Sequence, residues 1–592
     1  MDEELRERVR EQAEVYALYN ALKHDSDAQV GAIMGPMMGE NPEFREHGDK
    51  IAGIAAPAIE EVNDLDQAEK RARLEELAPE KLAELEEELA AEEEEEVLPD
   101  LPNADEYDEI RMRCAPNPNG PWHLGHARMP SVIGTYKELY DGSFVVRFDD
   151  TDPETKRPDL DAYDQILDDI EYLGFEPDDV IKASDRVETY YEYARELVAE
   201  GGAYTCSCPA EEFSELKNSG EPCPHRDKQL ETVEEEFEAM VDGEYGEGEM
   251  VLRVKTDIEH KNPALRDWVA FRIIETPHPR EEAEEYRCWP MLDFQSGIDD
   301  HLTGVTHIIR GIDLQDSAKR QAFVYDYFDW EYPEVIHWGH VQIDAYDVKM
   351  STSTIKEKIE AGDLDGWDDP RAPTIQSVRR RGIRGEAIVD AMTDLGVSTS
   401  NVDLAMSSIY ANNRELVDPE APRQFFVRDD FEARSPDVEE SYDAVVVPLS
   451  GGPDEANPPV HPEHEERGER EIPVGDRVFV EESDLPEDGE KVWLKGYGPV
   501  RYEDGAFTYT DDTIDVVREE GVDVIHWVDA DENVRVRMRT MDGDVTGYAE
   551  PGFAEQPVDE IVQFVRVGFA RVDAHTDGGA DDPESVAYYA HP

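Results

Sequence analysis

Apolar residues change their spacing along the chain, and each change marks a different kind of structure. Within residues 74–100, Leu82, Leu85 and Leu89 recur at helical intervals, Pro79 suits a helix start, and Pro99 and Pro102 mark the far limit. The acidic run from Glu92 to Glu96 reads as a solvated face or a linker. From Glu109 a short alternating segment enters a Pro/Asn/Gly loop. A helix-like stretch, the strand SFVVRF at 143–148 and helical segments at 160–173 and 186–200 follow. Strand, helix and strand in that order predict a parallel α/β sheet. Residues 203–288 interrupt it with a cysteine-rich loop and short mixed elements; the α/β texture resumes near Pro290, and 366–420 turns helical. After Pro422 strands dominate: DAVVVPL (443–449), RVFVEE (477–482), KVWLKGY (491–497), VIHWV (524–528) and VRVRMRT (534–540). Turns of Gly, Asp and Pro separate them, which predicts one or more β-barrels. No internal repeat is visible.

A length of 592 residues suits several domains. No apolar stretch approaches the roughly 18 residues of a membrane span, the charged start MDEELRERVREQ does not read as a secretory signal, and five cysteines are too few for a disulfide scaffold. A soluble, cytoplasmic protein is expected. Charge changes the picture most: Asp and Glu number 143 against 57 Lys and Arg, a formal net charge of −86. Such a balance ordinarily argues against a nucleic-acid partner, or for disorder. However, 39% hydrophobic residues with 25 Tyr and 8 Trp call for packed cores. Adaptation to molar salt reconciles the two, because there the Debye length is about 3 Å and acidic surfaces hardly repel one another or a phosphate backbone.

Candidate chemistry concentrates in RMRCAPNPNGPWHLGHAR (111–128). Pro116, Pro118, Gly120 and Pro121 fix a tight loop that should set His123 and His126 on one face of the first turn of a helix, where free N–H groups and the dipole favour phosphate. The stretch resembles the HIGH motif of class I aminoacyl-tRNA synthetases, with Leu124 for isoleucine; two histidines capping a surface helix is the plain alternative. VKMSTSTI (348–355) resembles the KMSKS loop that closes over ATP in that class. Lys349, Met350, Ser351 and Ser353 match, Thr352 stands where a second lysine is usual, and Lys356 or Lys358 is expected to supply that charge. A generic Ser/Thr turn is the alternative.

The likeness narrows to the glutaminyl/glutamyl subgroup. GSFVVRFDDTDPE (142–154), CWPMLDFQSGIDDHLTGVTHIIRG (288–311) and GWDDPRAPTIQSVRRRG (366–382) resemble segments of that subgroup. The resemblance covers nearly everything from Arg111 onward. It implies a multidomain α/β fold: an N-terminal helical region with an acidic linker (1–103), a class I Rossmann-like catalytic domain (104–202 and 289–345) interrupted by an acceptor-end domain (203–288), a KMSKS-like loop with a helical stem (346–420), and anticodon-binding β-barrels (421–592). It implies ligation of L-glutamate to tRNA(Glu) through a glutamyl adenylate formed from ATP with Mg²⁺, by an enzyme acting as a monomer. Whether tRNA(Gln) is also charged is left open. ATP would lie against Pro116, Asn117, Gly120, His123, Gly125, His126, Lys349, Met350 and Ser351, with His123, His126, Lys349, Ser351 and Ser353 acting in catalysis. Arg113, Asp149 and Arg310 would hold the amino acid. Two carboxylates need two cations, and arginine offers each a bidentate fork. Arg310 could equally pair with Asp300 or Asp313. The tyrosine usual before DF is Leu292 here, and Tyr286 is a candidate replacement.

Cys206, Cys208, Cys223 and His225 form a CxC…CxH set, three thiolates and an imidazole of the kind zinc favours, and similar sites occur in this insertion of some glutamyl enzymes. Inert thiols or a disulfide are the alternatives. Arg379, Arg380, Arg381 and Arg384 stand out as candidate tRNA-backbone contacts. The competing readings are a glutaminyl enzyme, a catalytically inactive tRNA-binding paralogue, and a small-molecule ligase or nucleotidyl transferase with a HIGH-like loop.

Overall fold

In the computed structural model, β1 (Arg111–Cys114), β2 (Ser143–Phe148) and β3 (Asp179–Lys182) lie parallel in that order, with Arg111 opposite Ser143 and Val145 opposite Asp179. The structure describes residues 98–592 except 344, 347, 434–439, 512–521 and 577–583. Before these it describes 3–24, 48–63 and 67–79, with a few single positions between and beyond them. Every residue of β2 is buried, which is why it reads as a nearly continuous apolar run and not as an alternation. The helices Arg128–Leu139 and Ala162–Tyr172 make the crossovers.

After the helix Val187–Ala199 the chain leaves this sheet and builds a second, antiparallel one from β4 (Ala203–Cys206), β5 (Val251–Val254), β6 (Val269–Ile273) and β7 (Cys288–Pro290). Its core gathers Tyr191, Phe237, Phe271 and Trp289. The chain then returns through the helix Leu292–Leu302 to β8 (His307–Gly311) and β9 (Glu334–Trp338), a parallel pair. Thr306 N donates to Arg111 O at 2.8 Å and Arg111 N donates to Thr306 Oγ1 at 2.9 Å, which seats β8 beside β1. The carboxyl ends of β1, β2 and β8 therefore converge, the place where open α/β sheets bind ligands.

The stem contains the helices Thr352–Ala361, Ile375–Arg381, Gly385–Thr393 and Met406–Val417. Two seven-stranded sheets follow, each over its own apolar core. One uses segments between Ala444 and Asp529; the other takes strands from both sides of it, at 423–433 and 534–591. VIHWV, expected as one strand, is two. Val524–Ile525 runs parallel to Trp493–Leu494 and Val528–Asp529 antiparallel to Val478–Phe479, while the buried Trp527 between them donates its indole N–H to Lys495 O at 3.0 Å.

Residues Met1–Val97 form a separate compact unit. Its helices Glu3–His24, Gly48–Asn63 and Gln67–Leu77 enclose Val9, Ala13, Leu18, Ile51, Ile59 and Leu74. Leu82 and Leu85 join that core, as their helical spacing predicts. Leu89 and the run Glu92–Glu96 lie outside the described residues.

Candidate active site

At the end of β1 the chain turns sharply, and neighbouring segments pin each step of the turn. Asp149 N donates to Pro116 O at 2.9 Å, Asn117 Nδ2 to Asp149 O at 2.8 Å, and Asp159 N to Pro118 O at 2.7 Å. Gly120 adopts φ +154°, and a Cβ there would come within 2.6 Å of Thr352 Cγ2, so only glycine fits between the two loops. His123 then opens a short 3₁₀ turn, Leu124–Ala127, that precedes the helix Arg128–Leu139. The histidines thus stand one turn ahead of the expected α-helix. Leu124 N donates to Pro373 O at 2.8 Å and Ile375 N to Trp122 O at 3.2 Å, so His123 bridges Thr374 and the motif is clamped to the stem.

The imidazoles of His123 and His126 stack, with centroids 3.7 Å apart and planes 21° from parallel. Burial lowers the pKa of His123 to about 4. It also holds His126 well below the ordinary value, with further lowering from His123. Both rings are therefore neutral near pH 7, and Nδ1 of each is buried with no protein partner. They can donate to an anion without adding a charge of their own.

Along the neighbouring wall, the buried Asp300 gathers three arginines. Arg147 Nη1 donates to its Oδ1 at 2.6 Å and Arg113 Nε at 3.2 Å, while Arg310 Nη2 stands 3.9 Å from Oδ2. Burial alone would raise the pKa of this carboxyl; Arg113, Arg147 and Arg310 overcome that and hold it below the usual range. Asp149 accepts from Arg147 Nε at 2.7 Å and from Gln295 Nε2 at 2.8 Å. Three guanidinium groups face two carboxylates, which leaves a net positive wall. Burial, followed by the charge of Arg113, lowers the pKa of Arg310; an anion beside it would offset both effects.

Arg113, Asp149 and Arg310 share one cavity of about 870 Å³ with Pro116, Asn117, Gly120, His123, His126 and residues Lys349–Ser353. Gly125 does not line it, but a Cβ there would sit 3.2 Å from His123 Nδ1 and 3.8 Å from Met350 Cε, two residues that do. Ser351 and Ser353 hydroxyls lie 3.1 Å apart at the start of the helix Thr352–Ala361. Arg310 approaches Asp300 and still faces the cavity, so its two sequence readings are not exclusive; its partner is Asp300, not Asp313.

Several expectations need correction. Arg381 is 2% exposed and donates to Tyr410 Oη, Tyr589 O and Ala590 O at 2.8, 3.1 and 2.6 Å, so it ties the stem to the last strand and cannot reach a phosphate. Arg380 is held by Asp368 at 2.7 Å and Asp573 at 3.0 Å. Arg379 and Arg384 are the exposed members of the run. Lys356 pairs with Asp159 at 3.2 Å and Lys358 with Asp363 at 3.7 Å, and neither lines the cavity. Lys156 does line it. Tyr286 packs against Tyr191 and Trp289 and is no substitute for the hydroxyl missing at the half-exposed Leu292.

The structure also assembles residues that sequence reasoning did not single out, Arg147, Gln295, Gln321 and Thr374, and it joins Asp300, expected only as a partner of Arg310, to Arg113 and Arg147 as well. Arg147 carried a readable signal, a cation one residue from the end of a buried, largely apolar strand.

Cys206, Cys208, Cys223 and His225 converge so that their ligand atoms all lie within 4.8 Å of one another. Cys223 Sγ is 3.5 Å from Cys206 Sγ and 3.4 Å from Cys208 Sγ, and His225 Nδ1 is 3.4 Å from both Cys208 Sγ and Cys223 Sγ. The three cysteines are free thiols. Zinc–sulfur bonds of about 2.3 Å in a tetrahedron would set sulfurs about 3.8 Å apart, so the donor set fits that ion.

No described helix is long and apolar enough to cross a membrane. A family model described as tRNA synthetases class I (E and Q), catalytic domain, matches residues 109–419, and two models of the anti-codon binding domain match 421–517 and 524–573. Along its full length the chain is 74% identical to the glutamate–tRNA ligase of Halobacterium salinarum and 70% identical to that of Natronomonas pharaonis, covering 100% of each relative. It is 42% identical to the glutamate–tRNA ligase of Methanothrix thermoacetophila over 99% of this chain and 100% of that one.

Proposed function

The chain belongs to the class I tRNA synthetases of the glutamate and glutamine group, and from that membership we infer that it joins L-glutamate to tRNA, using ATP. The observation that carries the glutamate reading is the cationic wall. Arg113 and Arg310 meet on Asp300 beside the stacked His123 and His126, so a substrate with two carboxylates would lie against the triphosphate of ATP. Glutamine there would leave one guanidinium buried without its anion, at about 3–5 kcal/mol.

In the first step a glutamate carboxylate oxygen attacks the α-phosphorus of ATP and pyrophosphate leaves. ATP enters as its Mg²⁺ complex, the ion screening phosphate charge. Neutral His123 and His126 donate to the charge that develops on the α-phosphate, and Lys349 with Ser351 and Ser353 close over the phosphates. Asp149 takes the substrate ammonium. In the second step a ribose hydroxyl of the terminal adenosine, the 2′-hydroxyl by class, attacks the carbonyl and AMP leaves. The site works by positioning and neutralising, with no covalent enzyme intermediate. A second cavity of about 570 Å³ shares Met291, Leu292, Asp293 and Ser317 with the first and is lined by Lys217, Arg253, Trp268 and Arg320; it offers the tRNA end a cationic approach. Arg379 and Arg384 are the members of the arginine run available to the tRNA backbone. Cys206, Cys208, Cys223 and His225 hold a structural zinc that fixes the start of the inserted sheet. The acidic surface belongs to a protein working in high salt, where it is screened.

The test is aminoacylation in high salt, with glutamate and glutamine each offered against tRNA(Glu) and tRNA(Gln). Glutamate on tRNA(Glu) is the expected product; charging by glutamine alone overturns the reading. His126→Ala should cut turnover by orders of magnitude while tRNA still binds, and near-normal turnover would remove His126 from the mechanism.

A further inference from the structure

Leu292 supplies no hydroxyl to the pocket, yet Arg310 has a polar neighbour that the sequence did not announce. Gln321, on the helix Gln315–Phe328, is 1% exposed and lines the cavity. Its Oε1 accepts from Arg310 Nη1 at 3.1 Å and from the Tyr332 hydroxyl at 2.6 Å, and its Nε2 donates to Ser296 Oγ. The way the amide points follows from chemistry: a guanidinium only donates, so the atom facing Arg310 is the oxygen. With two donors on Oε1, its lone pairs are filled, and one N–H of Nη1 is committed to the protein. The edge formed by Nε and Nη2 is then left for a ligand. Nε is buried with no protein partner, and Nη2 stands 3.9 Å from Asp300 Oδ2, beyond hydrogen-bond reach.

We propose that Gln321 is a specificity-determining positioning residue, which turns the Nε–Nη2 edge of Arg310 toward the γ-carboxylate of glutamate and, being neutral, leaves the charge of Arg310 available to it. The inference rests on the cavity being the glutamate site, as argued above. Neutrality is the decisive property. A glutamate side chain at 321 has nearly the same size, and its carboxylate would accept from Arg310 and Tyr332 as the amide oxygen does, and from Ser296 once that hydroxyl turns from accepting to donating. It would also neutralise Arg310. A substrate carboxylate would then meet a like charge, whereas the amide of glutamine would not.

The experiment compares the full-length wild type with Gln321→Glu and Gln321→Met, in high salt, by ATP–pyrophosphate exchange with tRNA present. In Gln321→Glu the ratio of kcat/KM for glutamate to that for glutamine falls about a hundredfold or more, the worth of one desolvated like-charge contact. The fall is carried by KM for glutamate, with KM for ATP unchanged. Gln321→Met keeps the volume but offers no comparable acceptor, and raises KM for glutamate about tenfold with kcat nearly held. A Gln321→Glu protein that matches wild type by circular dichroism and keeps the wild-type ratio, or loses both substrates in equal proportion, overturns the proposal. Should that variant not fold, an unchanged KM for glutamate in Gln321→Met does so instead. A wild-type protein that fails to activate glutamate would sink the functional reading itself, a different and separable outcome.

Discussion

Replacing Asp300 by asparagine isolates the electrostatics of the cationic wall. The carboxylate is fully buried and serves Arg147 at 2.6 Å, Arg113 at 3.2 Å and, at 3.9 Å, Arg310. Asparagine keeps the shape and one acceptor but removes the charge, leaving buried guanidinium groups without an anion. Breaking a buried ion pair from one side costs about 3–5 kcal/mol. The lower end applies here, because Arg147 retains Asp149 at 2.7 Å. Salt does not rescue a pair that water cannot reach, so the loss persists in the concentrated salt in which the protein is to be handled. Glutamate should rescue it, since a bound carboxylate replaces the missing charge and a ligand that binds only the folded form stabilises it by mass action. The assay is thermal unfolding followed by circular dichroism in high salt, with and without saturating glutamate. The variant melts earlier than wild type, and glutamate raises its midpoint by more than it raises the wild-type midpoint. An unchanged midpoint, or a glutamate-induced shift no larger than in wild type, refutes the picture of Asp300 as the counter-ion that stands in for substrate.

Other consequences follow from the same geometry. Arg381→Met strands the Tyr589 and Ala590 carbonyls at the stem, costs about 3 kcal/mol in the same melt, and leaves the salt dependence of tRNA binding unchanged; a reduced salt slope would restore Arg381 as a phosphate contact. Because burial lowers the pKa of His123 to about 4, its folded-state value lies below the ordinary imidazole value. The stability it contributes is therefore full above pH 6.5 and is lost as pH falls toward 4. ATP–pyrophosphate exchange should then lack an acid limb centred near pH 6.5, and such a limb abolished by His123→Asn would contradict the buried neutral pair. Metal analysis should find about one zinc per chain, and Cys223→Ser should abolish it and loosen the inserted domain to proteolysis; a zinc-free wild type with an intact domain would refute the site.

How much of this was legible beforehand depended on whether a feature is local in sequence. The loop from Pro116 to His126 could be read because prolines and glycine dictate backbone shape on the spot, and the CxC…CxH spacing because the ligands sit on either side of one short loop. β2 could be read from its apolar run. The counter-ion could be read only in part: Asp300 stood as one of two candidate partners of Arg310, but its bonds to Arg113 and Arg147 were not visible. Asp300 lies 187 residues from Arg113, and nothing in its neighbours distinguishes it from Asp299, which turns instead to Tyr190 and Arg186. The arginine run misled for the opposite reason. Its charges attract attention, but the helix Ile375–Arg381 turns Arg381 inward against a strand roughly two hundred residues away. Sequence spacing shows that four cations are near one another, not which face each occupies. VIHWV failed because a run of strand-forming residues does not show that its two ends pair with different neighbours.

The edge that Pro373 and Ile375 lend to Leu124 and Trp122 has a practical corollary for anyone trimming the chain. A fragment ending ahead of Pro373 would contain both histidines, the arginines of the wall and the whole lysine-bearing loop, and would look on paper like a minimal enzyme. It would nonetheless lack the short backbone ledge on which the imidazoles are mounted. Dissection of this protein has to respect joints that are invisible to any inventory of reactive side chains.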